Sequence, residues 1–358
     1  MISKECFTKQ WIESVHERFH YNDLNLIEKV IRAFSLVEML TESGCPYIWK
    51  GGSSLMLLLG SGLHRLSIDV DIVCPPGTDI EKYLLKFPEY GFTSREPIDR
   101  EQRSTSVPKS HEKLHYRVAY LSQTERTESI LLDVLYEDAQ YEKLETQKVE
   151  SPFIQIEGEP LTVKVPSVND ILADKLTAFA PNTSGIPYYK NGEPKFVEII
   201  KQLYDVGRLF NVMSDLGTVK SVFKRIAPIE LAYKRLPGDP APIYQDILDT
   251  ALCLATRGKA GHGDFTALQS GVNFIRPFMY QSKYYIEDAI TDAAKAAYLA
   301  TAIEKGADAI QRYEPAMELR ELLPTVSNKL NKLRAIQPEA FYYWGLTSEL
   351  LASNQVPD

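Results

Sequence analysis

The feature that most constrains how this chain folds is a pair of adjacent glycines between a strand-like and a helix-like stretch. Gly51 and Gly52 follow the β-like residues 46–50, and Ser53 opens a short apolar stretch that ends near residue 59. Glycine adopts backbone conformations that other residues avoid, so the pair predicts a tight turn from strand to helix. The N–H groups at the start of a helix bind anions, phosphate groups among them. We therefore expect Gly51, Gly52 and Ser53 to form a phosphate-binding turn.

Two acidic residues follow this turn at a spacing typical of one strand face. Asp69 and Asp71 lie in the apolar run 68–73, and residues two apart on a strand point to the same side. Ser67 shares that face, so its hydroxyl is expected near phosphate or metal, with a solvated serine as the alternative. Arg65 precedes the pair and is expected to contact the nucleotide. Carboxylates are the ligands that Mg²⁺ prefers, so Asp69 and Asp71 are candidate metal ligands.

A third carboxylate lies in a predicted hairpin further along the chain. Strands are predicted over residues 114–122 and 129–136, joined by the polar turn 123–128. The hairpin is expected to bring Asp133 beside the strand of the first two carboxylates. Asp133 stands in the apolar run 130–135, where an unpartnered charge would be costly to bury. It is therefore a third candidate metal ligand, with an edge or surface carboxylate as the alternative.

These features together predict the chemistry of nucleotidyl transfer. The reaction needs a metal-bound triphosphate, an activated hydroxyl and cationic help for the leaving pyrophosphate. Lys175 neighbours the apolar stripe of a predicted helix, so its long side chain is a candidate to reach a triphosphate; an ordinary surface lysine is the alternative. We expect an NTP substrate and Mg²⁺, with Mn²⁺ as a substitute.

The same residues resemble a known family over residues 45 to 210. The resemblance rests on Lys50-Gly51-Gly52-Ser53, on residues 65–71, 132–134 and 171–178, and on Lys201-Gln202-Leu203-Tyr204-Asp205-Val206. This set is similar to the AbiEii/AbiGii nucleotidyltransferase toxins of type IV toxin–antitoxin and abortive phage-infection systems. The resemblance implies an α+β fold of the DNA polymerase β-like nucleotidyltransferase class with a helical C-terminal domain. It also implies a cognate antitoxin and, as in some relatives, addition of nucleotides to the 3′ end of tRNA.

By matching position, the resemblance implies roles for individual residues. Gly52 and Ser53 would hold phosphates, and Lys175 and Asp205 would complete the active site. The chain departs from the commonest family pattern at Gln202, where an acidic residue is usual, so the role of Asp205 in orienting Lys175 is less well supported. The loop 182–189 is also similar to a subset of the family, and either substrate contact or a structural role is expected for it.

Composition limits the class of protein, its cellular location and the kinds of metal site that we expect. The 358 residues carry a formal net charge of −8, which disfavours a protein built mainly to coat nucleic acid. No signal-peptide pattern and no apolar run of about 18 residues is present, so we expect a cytoplasmic protein without a membrane association. The four cysteines form no metal-binding pair, and the six histidines offer no comparable ligand pattern.

We therefore expect a nucleotidyltransferase domain over residues 1–214 and an all-helical domain over 215–358, with the active cleft between them. The expected catalytic residues are Asp69, Asp71, Asp133, Lys175 and Asp205. Two alternatives remain open: a protein or small-molecule acceptor in place of tRNA, and a non-catalytic binding module of the same fold.

Overall fold

The computed structural model describes residues 1–21, 23–98, 112–319 and 322–353. Contacts divide the chain into two compact units, Met1–Ser167 with Pro277–Lys283, and Val168–Arg276 with Tyr284–Asp358. The contact-based division falls after residue 167 because the next two helices pack against later ones. The domain boundary expected after residue 214 stays a prediction.

The first unit combines helices with a sheet. Its elements in chain order are α1 (Lys9–Phe19), α2 (Leu24–Glu42), β1 (Ile48–Lys50), α3 (Gly51–Leu58), β2 (Val70–Cys74), α4 (Ile80–Tyr83), β3 (Phe92–Pro97), β4 (Glu112–Leu121), β5 (Thr127–Tyr136), β6 (Leu144–Lys148) and β7 (Thr162–Pro166), with 3₁₀ helices at Lys4–Phe7, Gly60–Gly62 and Leu84–Tyr90.

Five of these strands form one mixed sheet in the order β1-β2-β5-β4-β3. β2 and β5 run parallel, and the other neighbours are antiparallel. The predicted hairpin is confirmed as β4 and β5, and it does bring Asp133 beside β2, directly opposite Asp71. The mixed sheet with flanking helices confirms the α+β class.

One face of the sheet is buried beneath α2. On β5, Ile130, Leu132 and Val134 are buried, whereas Asp133 between them is only half-buried. α2 begins after Asp23, whose side chain accepts a hydrogen bond from the Leu26 N–H at 3.1 Å, and it contacts β2 and β5. Since side chains alternate along a strand, covering one face with α2 leaves the carboxylates on the other.

Two predicted boundaries are wrong by one or two residues. α3 begins at Gly51 and not at Ser53, because Gly51 makes the strand-to-helix turn itself with a φ of +80°. β2 begins at Val70, so Asp69 lies just before the strand. Its neighbour β1 ends at Lys50, opposite Asp71, and the preceding chain pairs elsewhere: the Leu66 N–H donates to the Phe278 carbonyl at 2.7 Å.

The second unit is helical, as predicted for the end of the chain. It contains α5 (Val168–Ala178), a two-stranded sheet of β8 (Tyr189–Lys190) and β9 (Glu193–Pro194), α6 (Phe196–Val212), α7 (Leu216–Tyr233), α8 (Ala241–Ala255), α9 (Phe265–Phe274), α10 (Ile286–Glu304), α11 (Leu333–Ile336) and α12 (Pro338–Ala352). Loops separate its elements at residues 181–188, 237–240 and 258–264.

A further break in the helices was not predicted. Between α10 and a 3₁₀ helix that starts at Asn328, the described residues of 305–327 contain no helix. Pro315 and Pro324 fall in this segment, and proline lacks the N–H that a continuing helix needs. Within the described part of the chain, no helix has the length and apolar character that a membrane span requires.

Candidate active site

The turn from β1 into α3 is closely surrounded by the residues predicted to bind nucleotide. A Cβ atom at Gly51 would overlap the Asp71 carboxylate, and one at Gly52 would lie 2.7 Å from both Arg65 Nη2 and Ser67 Oγ. Only glycine fits at both positions, so the absence of side chains is what allows Asp71, Arg65 and Ser67 to reach the start of α3. The structure thus brings these five predicted site residues together.

The first turn of α3 retains hydrogen-bonding capacity toward a ligand. Its N-cap residue, Lys50, makes no side-chain capping hydrogen bond, and the first N–H groups of a helix have no partner within the helix. The buried Ser53 hydroxyl accepts a hydrogen bond from the Trp49 indole N–H at 3.0 Å. Ser53 is therefore held in place by Trp49, while its own proton can still be donated.

Arg65 adds a positive charge beside this helix start. It is 2% exposed, its Nη1 donates to the Leu66 carbonyl at 3.0 Å, and its Nη2 lies against Gly52. The guanidinium group and the N-terminal end of a helix both attract anions. The surroundings of Gly52 therefore favour an anionic group such as phosphate.

A row of four polar residues crosses the face of the sheet opposite α2. Lys50 is paired in register with Asp71, Asp71 with Asp133, and Asp133 with His115, on four adjacent strands. Register partners point to the same face, so the four side chains share it. Two carboxylates thus stand side by side between two residues that can carry positive charge.

Asp133 has a direct partner that the sequence did not reveal. Its Oδ1 lies 2.5 Å from His115 Nδ1, and the side chains are 29% and 18% exposed, respectively. No function was assigned to His115 from the sequence. Its position opposite Asp133 follows from the hairpin register, which the sequence indicates only if the turn is placed to the exact residue.

The carboxylates fit a divalent cation that the substrate helps to bind. Among the described residues, no group of three or more Asp, Glu, His or Cys side chains is arranged to hold a metal ion by itself. Mg²⁺ commonly uses one or two protein carboxylates and completes its shell with water and substrate phosphates. Asp69 and Asp71, with Asp71 against the phosphate-type turn, supply oxygen ligands of this kind.

The two remaining predicted residues form a buried cluster within the second unit. Lys175 Nζ, on α5, lies 3.1 Å from Asp205 Oδ2, on α6, and donates to Gln202 Oε1 at 3.0 Å. The Lys175 side chain is 9% exposed and Asp205 is fully buried. Lys175 is therefore not an ordinary surface lysine. Gln202, the departure from the family pattern, keeps a hydrogen bond to Lys175 but supplies no negative charge.

The loop that follows α5 is anchored at its start by Asp246. This carboxylate accepts hydrogen bonds from the Asn182 N–H at 2.8 Å, the Asn182 amide at 2.6 Å and the Thr183 hydroxyl at 2.8 Å. Burial raises the pKa of the Asp246 carboxyl, and these donors act in the opposite direction. The beginning of the loop thus has a structural role, whereas Tyr189 at its far end is 58% exposed.

All four cysteines are buried and free. They supply no disulfide.

Known structures and families provide the comparison for this arrangement. JHP933 from Helicobacter pylori shares 15% identity, with a TM-score of 0.37, covering 92% of this chain and 99% of that one. MenT4, a nucleotidyltransferase toxin from Mycobacterium tuberculosis H37Rv, shares 16% identity, with a TM-score of 0.48, covering 87% and 94%. Comparison with curated proteins gives no match.

A comparison with protein families identifies the family of this chain. The family described as "Nucleotidyl transferase AbiEii toxin, Type IV TA system" matches residues 36–269, which is more than half of the chain. The match includes the turn at Gly51 and Gly52, the three candidate carboxylates, and the cluster of Lys175 and Asp205. It confirms the resemblance found from the sequence and the nucleotidyltransferase assignment. The chain belongs to the AbiEii family of type IV nucleotidyltransferase toxins.

Proposed function

We propose that this protein transfers a nucleoside monophosphate from an NTP to the 3′ end of tRNA in a Mg²⁺-dependent reaction. The observation that carries the proposal is the turn at Gly51 and Gly52, where missing side chains admit Asp71 on one side and Arg65 and Ser67 on the other. An anion-binding helix start in contact with a carboxylate suits a triphosphate that arrives with a cation.

Each candidate site residue of the first unit has a defined role in this proposal. The N–H groups at the start of α3, the Ser53 and Ser67 hydroxyls and the Arg65 guanidinium bind the phosphates. Asp69, Asp71 and Asp133 would contribute oxygen ligands to Mg²⁺ together with the substrate phosphates, and the ion when bound would neutralise phosphate charge and orient the triphosphate. Trp49 keeps Ser53 in position through its indole N–H.

The reaction itself exchanges one bond at phosphorus for another. The acceptor hydroxyl oxygen bonds to the α-phosphorus, the bond from that phosphorus to the β-phosphate oxygen breaks, and pyrophosphate leaves with the electron pair. The hydroxyl proton passes to water. Binding and orientation supply most of the catalysis in reactions of this class, which suits a site built on a rigid sheet and a helix start.

Lys175 and Asp205 are proposed to serve the same reaction. Their assignment rests on the family pattern, in which Lys175 neutralises phosphate charge and Asp205 positions Lys175. The 3.1 Å ion pair supports the second part of that assignment, because a buried carboxylate fixes the ammonium group.

The acceptor and the biological role are proposed from the family. A toxin of a type IV system implies an antitoxin partner, and tRNA modification would stop growth by blocking aminoacylation. We propose phage defence as the setting and the cytoplasm as the place of action.

The test is to incubate the purified protein with Mg²⁺, total tRNA and each α-labelled NTP in turn. An Asp69→Ala variant is the matched negative control. Label that reaches tRNA from one NTP, and that is lost in Asp69→Ala, would support the proposal and identify the nucleotide.

Three other outcomes would each refute a different part of the proposal. Label on a protein fraction or a small molecule, but not on tRNA, would refute the acceptor while leaving the chemistry in place. Equal labelling by Asp69→Ala would refute the carboxylate assignment. Absence of NTP binding would instead favour a non-catalytic module.

A further inference from the structure

The polar row on the sheet contains a residue that the proposed function does not use. His115 stands at the β4 end of the row, directly opposite Asp133 in the antiparallel pair of β4 and β5. Its Nδ1 lies 2.5 Å from Asp133 Oδ1. The contact joins two half-buried side chains that the backbone register already places face to face, so it needs no unusual arrangement of either residue.

The chemistry of the two groups determines which atom donates. An ionised carboxylate only accepts hydrogen bonds, so the proton in this contact belongs to His115 Nδ1. With Oδ1 engaged by the histidine, Oδ2 is the carboxylate oxygen left for a cation. Partial burial protects the hydrogen bond from competition by water, and hydrogen bonds to charged acceptors are among the stronger ones in proteins.

We propose that His115 is a positioning residue, whose Nδ1–H holds Asp133 Oδ1 so that Oδ2 is presented to the divalent cation. The proposal rests on the proposed function, since it concerns the same carboxylate row. Groups that hydrogen-bond to metal ligands orient those ligands, and their loss commonly weakens metal binding by about 10- to 100-fold.

Variants at His115 should distinguish the effect of losing the hydrogen bond to Asp133 from the effect of losing the volume of the imidazole ring. His115→Leu removes the donor and keeps an apolar side chain of moderate size. His115→Asn restores a donor, because the asparagine Nδ2 occupies the same position along the side chain as histidine Nδ1. Arg117→Leu is the matched control, since it removes a polar residue two positions along the same strand face, where the partner is Leu131 and not Asp133.

The measurement is Mn²⁺ binding to the full-length protein in the presence of a non-hydrolysable NTP analogue, with the analogue alone as the reference, followed by the electron paramagnetic resonance signal of the free ion. We expect the Kd for Mn²⁺ to rise about tenfold in His115→Leu. In His115→Asn and Arg117→Leu it should stay within about threefold of the unmodified protein, and Asp69→Ala should bind weakly. Circular dichroism establishes that each variant folds, and the Mg²⁺ dependence of tRNA labelling gives a second reading.

The outcomes distinguish the inference from the function on which it rests. Mn²⁺ binding by His115→Leu equal to that of the unmodified protein would overturn the role of His115 and leave the carboxylate site intact. A defect in His115→Asn as large as in His115→Leu would overturn the hydrogen-bond explanation. No Mn²⁺ binding by the unmodified protein and the NTP analogue beyond that of the analogue alone would overturn the proposed metal site together with this inference.

Discussion

The contact between Gly51 and Asp71 leads to a sharp prediction because the chain supplies its own control. Gly51 has a φ of +80° and Gly44 a φ of +74°, so an alanine at either position enters the left-handed region. That strain costs about 1–2 kcal/mol at each position. A Cβ at Gly44 would meet nothing within 4 Å, whereas a Cβ at Gly51 would overlap the Asp71 carboxylate.

The two substitutions should therefore differ in function much more than in backbone strain. Gly44→Ala should lower the free energy of unfolding by about 1–2 kcal/mol and leave nucleotide transfer unchanged. Gly51→Ala should bear the same strain and also displace Asp71. Loss of one preorganised electrostatic group commonly lowers kcat by about 10²–10³, or about 2.7–4 kcal/mol, and we expect a loss of that size.

Chemical denaturation measures the strain, and transfer of labelled nucleotide measures the function. Both variants should be assayed at a temperature well below their unfolding transitions, so that a lower folded population does not imitate a catalytic defect. Full activity in Gly51→Ala, with the same loss of stability as Gly44→Ala, would refute the claim that this glycine is required to admit Asp71.

Two further predictions concern the second unit. Lys175→Met removes the cation 3.1 Å from a fully buried Asp205 carboxylate, so denaturation should show a loss of about 3 kcal/mol that Lys175→Arg largely avoids; a loss below 1 kcal/mol would contradict this. Asp215 caps α7 by accepting hydrogen bonds from the Gly217 and Thr218 N–H groups, and Asp215→Ala should cost about 1 kcal/mol at pH 7. The Thr218 hydroxyl, the largest cause, lowers the pKa of the Asp215 carboxyl from its ordinary 3.8, so the cap stabilises the protein above pH 3.8. This advantage over Asp215→Ala should disappear as the pH falls through the lowered pKa, and a pH-independent difference would rule the explanation out.

The parts of the site that are local in sequence could be predicted. The strand, the glycine turn and α3 are contiguous, so composition and spacing were enough to place them within two residues. The predicted hairpin likewise placed Asp133 beside the strand of the first two carboxylates, as the structure shows. The family pattern added Asp205, for which the sequence alone offered no separate argument.

The register of the hairpin could not be predicted from composition and spacing. The turn was predicted over residues 123–128, whereas Leu121 already faces Thr127 across a tighter turn. Glu125 lies in this turn with a φ of +59°, a conformation that favours glycine. A glutamate in the sequence does not indicate such a turn position. Because a shift of one residue changes every partner, His115 could not be matched with Asp133 in advance.

Contacts between distant parts of the chain were also unpredictable. The packing of Arg65 against Gly52 and the anchoring of Asn182 by Asp246 depend on how separate elements meet. Neither leaves a periodic pattern in the sequence, so a charged residue such as Asp246 could not be distinguished from one on a solvated helix face.

The return of residues 277–283 to the first unit has a consequence for how the protein is made. Tyr280 donates its hydroxyl proton to the Leu63 carbonyl at 2.6 Å, and Arg65 forms a β-bridge with Met279, next to the turn that is proposed to bind phosphate. On the ribosome, the sheet unit thus stays unfinished until more than a hundred further residues have been added, a delay on the order of ten seconds at about 5–20 residues per second. Nascent chains that are released before this segment therefore lack the residues that pack around Arg65, which for a toxin would restrict activity to molecules that extend beyond residue 283.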